Sequence, residues 1–151
     1  MKNILLLLLV FCTNLIITSE SITQVQKGSI ILEAKGFKND DGKARILIFS
    51  TKEKKGFPSN QNNAFIKKVV DIKNKQIAVT FDEIPFGDYA ISVHHDVNGD
   101  GKVNTNLIGI PKEGLGASND AKGNFGPPKF EKAKFSLNSS EKQIKIYIVS
   151  P

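Results

Sequence analysis

Short segments that alternate apolar and polar side chains run from residue 29 to the C-terminus, and they restrict the possible folds more than any other feature. A period of two residues places successive side chains on opposite faces of a β-strand. Gly, Asn and Asp residues that favour turns separate the segments. The pattern predicts an all-β fold, an antiparallel Greek-key β-sandwich of about seven strands. The predicted strands are residues 29–35, 44–49, 76–81, 89–95, 129–137 and 143–149, while residues 65–72 fit a strand or a short helix.

The first 19 residues have the organisation of a secretory signal peptide. Lys2 precedes an uninterrupted apolar run from Ile4 to Phe11, and small and polar residues follow at positions 18–21. A membrane-spanning helix needs about 20 apolar residues, so we expect cleavage rather than anchoring. Cys12 is the single cysteine of the chain. Because it follows Phe11, where a lipobox requires a small residue, we expect it to be discarded with the leader.

Residues 20–151 are predicted to form one exported domain, because about 130 residues is a usual domain size. No later segment is apolar enough to span a membrane. Export is consistent with the periplasm, the periphery of the cell envelope or the medium, and with an envelope or extracellular ligand. The net charge is +6 over the whole chain, and the lysines are scattered. This distribution argues against nucleic-acid binding and leaves weak attraction to anionic surfaces open.

A segment rich in glycine and proline, from Asp96 to Pro128, interrupts the rhythm of strands. Loops of this length in compact domains are usually functional or disordered. The many turn-forming residues favour a tightly structured loop. This segment is therefore the predicted location of any functional site.

The beginning of this loop has the spacing of a calcium-binding loop, in which alternate oxygen-bearing side chains converge on one cation and a glycine occupies position six. Gly101 holds that sixth position, but Leu107 stands at position twelve, where such loops carry a bidentate Glu. Either Glu113 or Asp120 is a candidate for the missing carboxylate. The predicted ligands are Asp96, Asn98, Asp100, the backbone carbonyl of Lys102, Asn104 and Glu113.

The same residues also fit a polar turn that binds no ion, since Asn-Gly and Asp-Gly are the commonest turn pairs in hairpins. A weak Ca²⁺ site and a plain turn are thus equal alternatives. A transition-metal site is less well supported, because His94 and His95 are the only histidines and adjacent strand residues face opposite sides. We expect one of them to pack inside the protein and the other to face solvent or the loop.

A hydrolase built from Ser118, His95 and Asp96 would lack the Gly-x-Ser-x-Gly motif that exposes a serine nucleophile. The sequence therefore favours an exported, non-catalytic module that binds a ligand or has a structural role at the cell envelope. The alternative is a small secreted enzyme or carbohydrate-active protein with its site in the 96–130 loop.

The turn from Ile84 to Ala90 carries information about the fold. Gly87 is expected to adopt a positive φ in this turn. Tyr89 is expected to bury its ring and to bond the nearby backbone through its hydroxyl, as in the tyrosine corner of Greek-key sandwiches. The turn also looks like that of transthyretin-like and carboxypeptidase-regulatory-like domains, which implies a transthyretin-like or immunoglobulin-like sandwich.

Several longer motifs together resemble an uncharacterised family of exported bacterial proteins, domain-of-unknown-function family 2141. They are Pro-x-Gly-x-Tyr-Ala at 85–90, His-Asp-x-Asn-Gly-Asp-Gly-Lys at 95–102, Gly-Ile-Pro-x-Glu-Gly at 109–114, Ser-Asn at 118–119 and Gly-Pro-Pro-x-Phe at 126–130. The resemblance covers nearly all of the predicted mature chain and implies export and the fold, without an activity, substrate or cofactor. Asn104 stands where members often have Asp, which removes a charge from any calcium site.

Overall fold

The computed structural model describes residues 24–124 and 126–151, so the predicted signal peptide lies outside the described residues. Among the described residues, no helix is long and apolar enough to cross a membrane. One short helix, α1, covers Phe130–Ala133, and single 3₁₀ turns occur at Lys54–Gly56, Gln61–Asn63 and Ser118–Asp120. The strands are β1 (Lys27–Lys35), β2 (Lys43–Ser50), β3 (Ile66–Val70), β4 (Gln76–Pro85), β5 (Gly87–Asp96), β6 (Leu115–Ala117), β7 (Phe135–Leu137) and β8 (Glu141–Tyr147).

The strands form two sheets, which confirms the predicted mostly-β fold. One sheet has the order β4-β1-β8, and the other has the order β3-β2-β5-β6. The short β7 pairs with the beginning of β5, from Gly87 to Tyr89. Residues 65–72, which the sequence left undecided, contain the edge strand β3.

The expectation of a purely antiparallel arrangement is wrong for one pair of strands. β1 and β8 run parallel, with Ser29 opposite Glu141 and Lys35 opposite Tyr147. These strands lie at opposite ends of the domain sequence, so no short hairpin dictates their relative direction. Their apolar faces fit the same core in the parallel orientation, since Leu32 stands beside Ile144.

The predicted strand over 129–137 is also only partly correct, because residues 130–133 form α1 and only 135–137 form β7. Phe130 and Ala133 are spaced by three residues and are both buried. Their spacing suits one face of a helix, and both pack into a small apolar cluster with Phe49 and Ala90. Packing of these two side chains therefore accompanies a helical turn here.

The main core lies between the inner faces of the two sheets. The alternating residues predicted to face inward are fully buried on β1, and those of β2 and β5 join them. Side chains on the opposite face of β2 and β5, including Phe49 and Ala90, bury against α1. β5 is consequently buried on both faces from Tyr89 to its last residue, Asp96, which is also the first residue of the long loop. The core residues include Ile30, Leu32, Ala34, Ile46, Ile48, Tyr89, Ile91, Val93, Leu137 and Ile146.

Candidate functional site

Asp96, the last residue of β5, anchors the beginning of the long loop. Its side chain is 0% exposed. One carboxylate oxygen accepts hydrogen bonds from Arg45 Nε at 2.5 Å and from the Gly101 amide at 3.0 Å, and the other accepts from the Gly99 amide at 2.9 Å. Gly99 and Gly101 both have positive φ, near 75°, which glycine adopts without strain. The loop is thus curled around a buried carboxylate.

The prediction of one continuous loop from Asp96 to Pro128 is only partly correct, because β6 lies within it and pairs with β5. Glu113 secures the end of the part that precedes β6. Its side chain is buried, and Oε2 lies 2.8 Å from His94 Nε2, which donates to it. The amide of Asn104 donates to the same oxygen at 3.2 Å, and the amide of Val97 donates to Oε1 at 3.0 Å. Glu113 therefore connects β5, the first turn of the loop and the loop's middle.

Both carboxylates are held in the ionised form. Burial by itself raises the pKa of Asp96, but the hydrogen bonds from Arg45 and Gly101 outweigh it, so that pKa lies below its usual value. Burial likewise raises the pKa of Glu113, and the bonds from His94, Asn104 and Val97 more than offset it. Both groups are therefore anions at neutral pH and act as acceptors for loop donors.

The exposed part of the predicted calcium loop forms a second set of hydrogen bonds, centred on Asp100. Its Oδ2 accepts from the side-chain amides of Asn98 and Asn104, at 3.1 and 3.0 Å. Its Oδ1 accepts from the backbone amide of Lys102 at 2.8 Å. The Asn104 bond is the largest cause of a lowered pKa at Asp100. The structure thus brings the six predicted residues into one part of the loop. Their three carboxylates accept from protein donors, and Asn98, Asn104 and the amide of Lys102 are among those donors.

This arrangement bears on the fit of a cation. Within residues 24–124 and 126–151, no three His, Cys, Asp or Glu side chains gather as a metal site would require. A calcium ion would compete with Arg45 for the carboxylate of Asp96. Asp120, the other candidate carboxylate, accepts instead from the amide of Tyr147 at 3.0 Å. Calcium binding therefore stays a prediction, and it requires an exchange of hydrogen bonds at Asp96.

The tip of the loop, residues 105–111, is a compact turn with apolar side chains facing solvent. Thr105 pairs with Pro111 as an isolated bridge. Beyond the bridge, Leu107 is fully exposed, and Ile108 and Ile110 are 80% and 51% exposed. Sequence reasoning considered Leu107 only as a missing ligand and overlooked this tip. Three large apolar residues within four positions of an otherwise polar loop were the available signal.

Two of the side chains considered for hydrolysis, Ser118 and His95, bond to the backbone, and the third, Asp96, accepts from Arg45 and from amides of the loop. The hydroxyl of Ser118 is buried; it donates to the carbonyl of Ala133 at 2.6 Å and accepts from the amide of Ile91 at 2.9 Å. His95 is fully buried, and its Nε2 lies 2.8 Å from the Asp41 carbonyl. As expected, one histidine packs inside and the other faces the loop.

The predicted tyrosine interaction is confirmed, because the Tyr89 hydroxyl donates to the carbonyl of Pro85 at 2.7 Å. The expected positive φ at Gly87 is wrong. The residue with a left-handed backbone is Glu83, at φ 60°, where β4 carries one more residue than β1 between paired positions. A β-bulge there accommodates the bend without Gly87.

The fold and the loop define a small β-rich domain with a long loop fixed at its base by two buried carboxylates. The chain belongs to DUF2141, a family described as an uncharacterized protein conserved in bacteria, whose model matches residues 32–145. The resemblance seen in the motifs is thereby confirmed. No curated protein matches the chain.

A solved structure, that of a fimbrial assembly protein from Parabacteroides distasonis, is similar at a TM-score of 0.38 and 8% sequence identity. The match covers 84% of this chain and 53% of that protein, so this chain spans about half of its length.

Proposed function

We propose that this protein is an exported, non-catalytic module of the cell envelope, a Greek-key β-sandwich that binds its target through the loop of residues 96–130. The observation that carries the proposal is the apolar tip formed by Leu107, Ile108 and Ile110 on a loop whose base is fixed. Exposed apolar patches that are rimmed by polar residues often mark interaction sites. A rigid presentation lowers the entropy cost of binding.

The acidic and histidine side chains at the base of the loop support binding rather than catalysis. The carboxylates of Asp96 and Glu113 are occupied by Arg45, His94 and backbone amides of the loop. Groups used in this way stabilise the loop and have no acceptor capacity directed at a substrate. Their lowered pKa values are also opposite to the raised value that a general acid needs at neutral pH.

A small secreted enzyme or carbohydrate-active protein is the alternative, and it has less support. An open groove of about 540 Å³ lies beside β1, β3 and β4, lined by residues such as Glu33, Asp71 and Gln76. None of its lining residues comes from the 96–130 loop. The alternative would therefore need a site that is separate from this groove.

Calcium enters the proposal only as a weak stabiliser of the loop. The side-chain amides of Asn98 and Asn104 both donate to Asp100, and Asp96 accepts from the amides of Gly99 and Gly101 in the same turn. Few charges and no bidentate Glu at position twelve predict a dissociation constant of roughly 10⁻⁴ to 10⁻³ M, typical of extracellular modules. The ion is not required for the proposed binding surface.

Co-sedimentation of residues 24–151 with a bacterial envelope preparation tests the proposal, since both sheets and both apolar clusters lie in this part of the chain. We expect the wild-type domain to bind. The double substitution Leu107→Ser with Ile108→Ser should weaken binding about tenfold or more, from the loss of exposed apolar surface.

The matched control removes exposed apolar side chains outside the loop. Val69 and Tyr147 are 49% and 63% exposed, and Val69→Ser with Tyr147→Ser should leave envelope binding unchanged. Unchanged melting temperatures show that each double variant is folded. An envelope preparation that retains no wild-type domain, or retains both variants equally, contradicts the proposal.

A further inference from the structure

We infer that the target of the loop is the surface of an anionic lipid bilayer, into which the tip around Leu107, Ile108 and Ile110 inserts. The inference rests on the proposed function and names the partner. It draws on three independent features of the loop: its exposed side chains, its hydrogen-bonded backbone and its flanking charges.

The exposed side chains have the size and arrangement of an interfacial anchor. Leu107, Ile108 and Ile110 lie in one tight turn beyond the Thr105–Pro111 bridge, with exposed fractions between half and complete. Aliphatic side chains of this kind bury readily at the boundary between headgroups and acyl chains. The turn is narrow, which suits penetration of a bilayer better than contact with a broad protein surface.

Four backbone amides of the tip donate to acceptors within the tip. The amides of Ile108 and Ile110 donate to the side-chain oxygen of Asn106, at 3.1 and 2.9 Å. The amide of Gly109 donates to the carbonyl of Asn106 at 3.0 Å, and that of Asn106 donates to the carbonyl of Ile110 at 2.8 Å. Pro111 has no amide donor.

This internal bonding favours a lipid over a peptide partner. A segment that enters an apolar phase must satisfy its own backbone groups, because no water is available to do so. A peptide that added a strand to the loop would instead need unpaired backbone groups as partners. The bonds that involve Asn106 meet the first requirement for four amides of the tip, and those four amides are not available to pair with an added strand.

The charges around the tip suit an anionic surface. Lys102 and Lys112 are exposed at the base of the tip. The carboxylates between residues 97 and 114 are those of Asp100 and Glu113, and Glu113 is buried and shared with His94. The whole chain has a net charge of +6, so long-range attraction to an anionic leaflet has the right sign.

Protein-free vesicles test the inference directly. We expect residues 24–151 to sediment with vesicles that contain phosphatidylglycerol, and to bind much less to vesicles of phosphatidylcholine alone. Leu107→Ser with Ile108→Ser should reduce binding to the anionic vesicles about tenfold or more, while Val69→Ser with Tyr147→Ser should not. Lys102→Gln with Lys112→Gln should weaken binding and reduce its sensitivity to salt.

A spectroscopic measurement reports insertion itself. The chain contains no tryptophan, so Ile108→Trp introduces a single reporter at the tip. Its emission should shift to shorter wavelength with anionic vesicles, whereas the emission of Val69→Trp should not move. Vesicle binding with an unmoved Ile108→Trp emission would place the contact elsewhere and overturn the inference.

The outcomes also separate this inference from the proposed function. If envelope preparations bind the domain through Leu107 and Ile108 but vesicles do not, the partner is another envelope component, and only the lipid inference is wrong. If neither preparation binds, both proposals fail.

Discussion

Replacing Glu113 with glutamine tests whether this buried carboxylate holds the long loop in place. Glutamine has nearly the same shape but keeps only one acceptor oxygen. If that oxygen accepts from His94 and Asn104, the new NH₂ group faces the amide of Val97, donor against donor. The variant thus loses the Val97 bond and the charge that strengthens the others.

The magnitude follows from these contacts. An unsatisfied donor in a largely buried site costs about 1–3 kcal/mol, and neutralising the acceptor weakens each remaining bond by about 1 kcal/mol. We expect Glu113→Gln to lower the free energy of unfolding by about 2–4 kcal/mol at pH 7. In a domain of this size, a loss of about 1 kcal/mol in the free energy of unfolding lowers the melting temperature by roughly 4 °C. The expected fall in melting temperature is therefore about 8–16 °C.

The effect should depend on pH in a defined direction. The pKa of Glu113 in the folded protein lies below its ordinary value of 4.5. The stability that it contributes is therefore fully present above about pH 4.5 and is lost as the pH falls through the lower, folded pKa. The difference in the free energy of unfolding between the wild type and Glu113→Gln should accordingly become smaller as the pH is lowered.

Thermal melts of the wild type, Glu113→Gln and Glu83→Gln between pH 3 and 7 measure both effects. Glu83 is a suitable control, because its side chain is 79% exposed and pairs with Lys27 at the surface; such pairs contribute little. If Glu113→Gln has the same melting temperature as Glu83→Gln at pH 7, Glu113 does not hold the loop, and our account of the site is wrong.

Three further predictions concern other parts of the chain. Tyr89→Phe loses the bond to Pro85 and should lower the free energy of unfolding by about 1–2 kcal/mol in a denaturant melt; unchanged stability would argue against a tyrosine corner. The intact mass of the native protein should show a mature start between Glu20 and Thr23, and a mass that includes the apolar leader would refute the signal peptide. On the calcium hypothesis, a concentration ten times the dissociation constant adds about 1.4 kcal/mol and raises the melting temperature by several degrees. Magnesium should raise the melting temperature much less than calcium does, and Asp96→Ala should abolish the calcium effect. If calcium leaves the melting temperature of the wild type unchanged, the segment is a turn closed by its own hydrogen bonds and binds no ion.

Local features of the site were accessible from the sequence, because their hydrogen bonds join near neighbours. Asp96 bonds amides three and five residues further on, at Gly99 and Gly101, and the spacing of carboxylate and glycines encodes that curl. Tyr89 reaches a carbonyl four residues back, at Pro85. The family motifs span the same stretch, so the position of the loop and its turn residues could be predicted.

Partners distant in the sequence were not accessible in the same way. Arg45 comes to Asp96 from 51 residues away, and Glu113 meets His94 across 19 residues. Whether a carboxylate coordinates an ion or accepts from an arginine depends on which strand is its neighbour. The calcium spacing identifies the oxygens, but it carries no information about Arg45.

The sequence by itself determined which residues form most of the strands and which side of each faces the core, because a period of two residues is a local property. It also determined the curl of the loop around Asp96. Only the tertiary structure decided that β1 pairs with β8 in parallel, that Arg45 neutralises Asp96 and that Leu107 faces solvent. These features depend on how separate segments pack against one another. The alternation of apolar and polar residues along a strand is the same whichever strand it pairs with and in whichever direction, so it cannot specify that pairing.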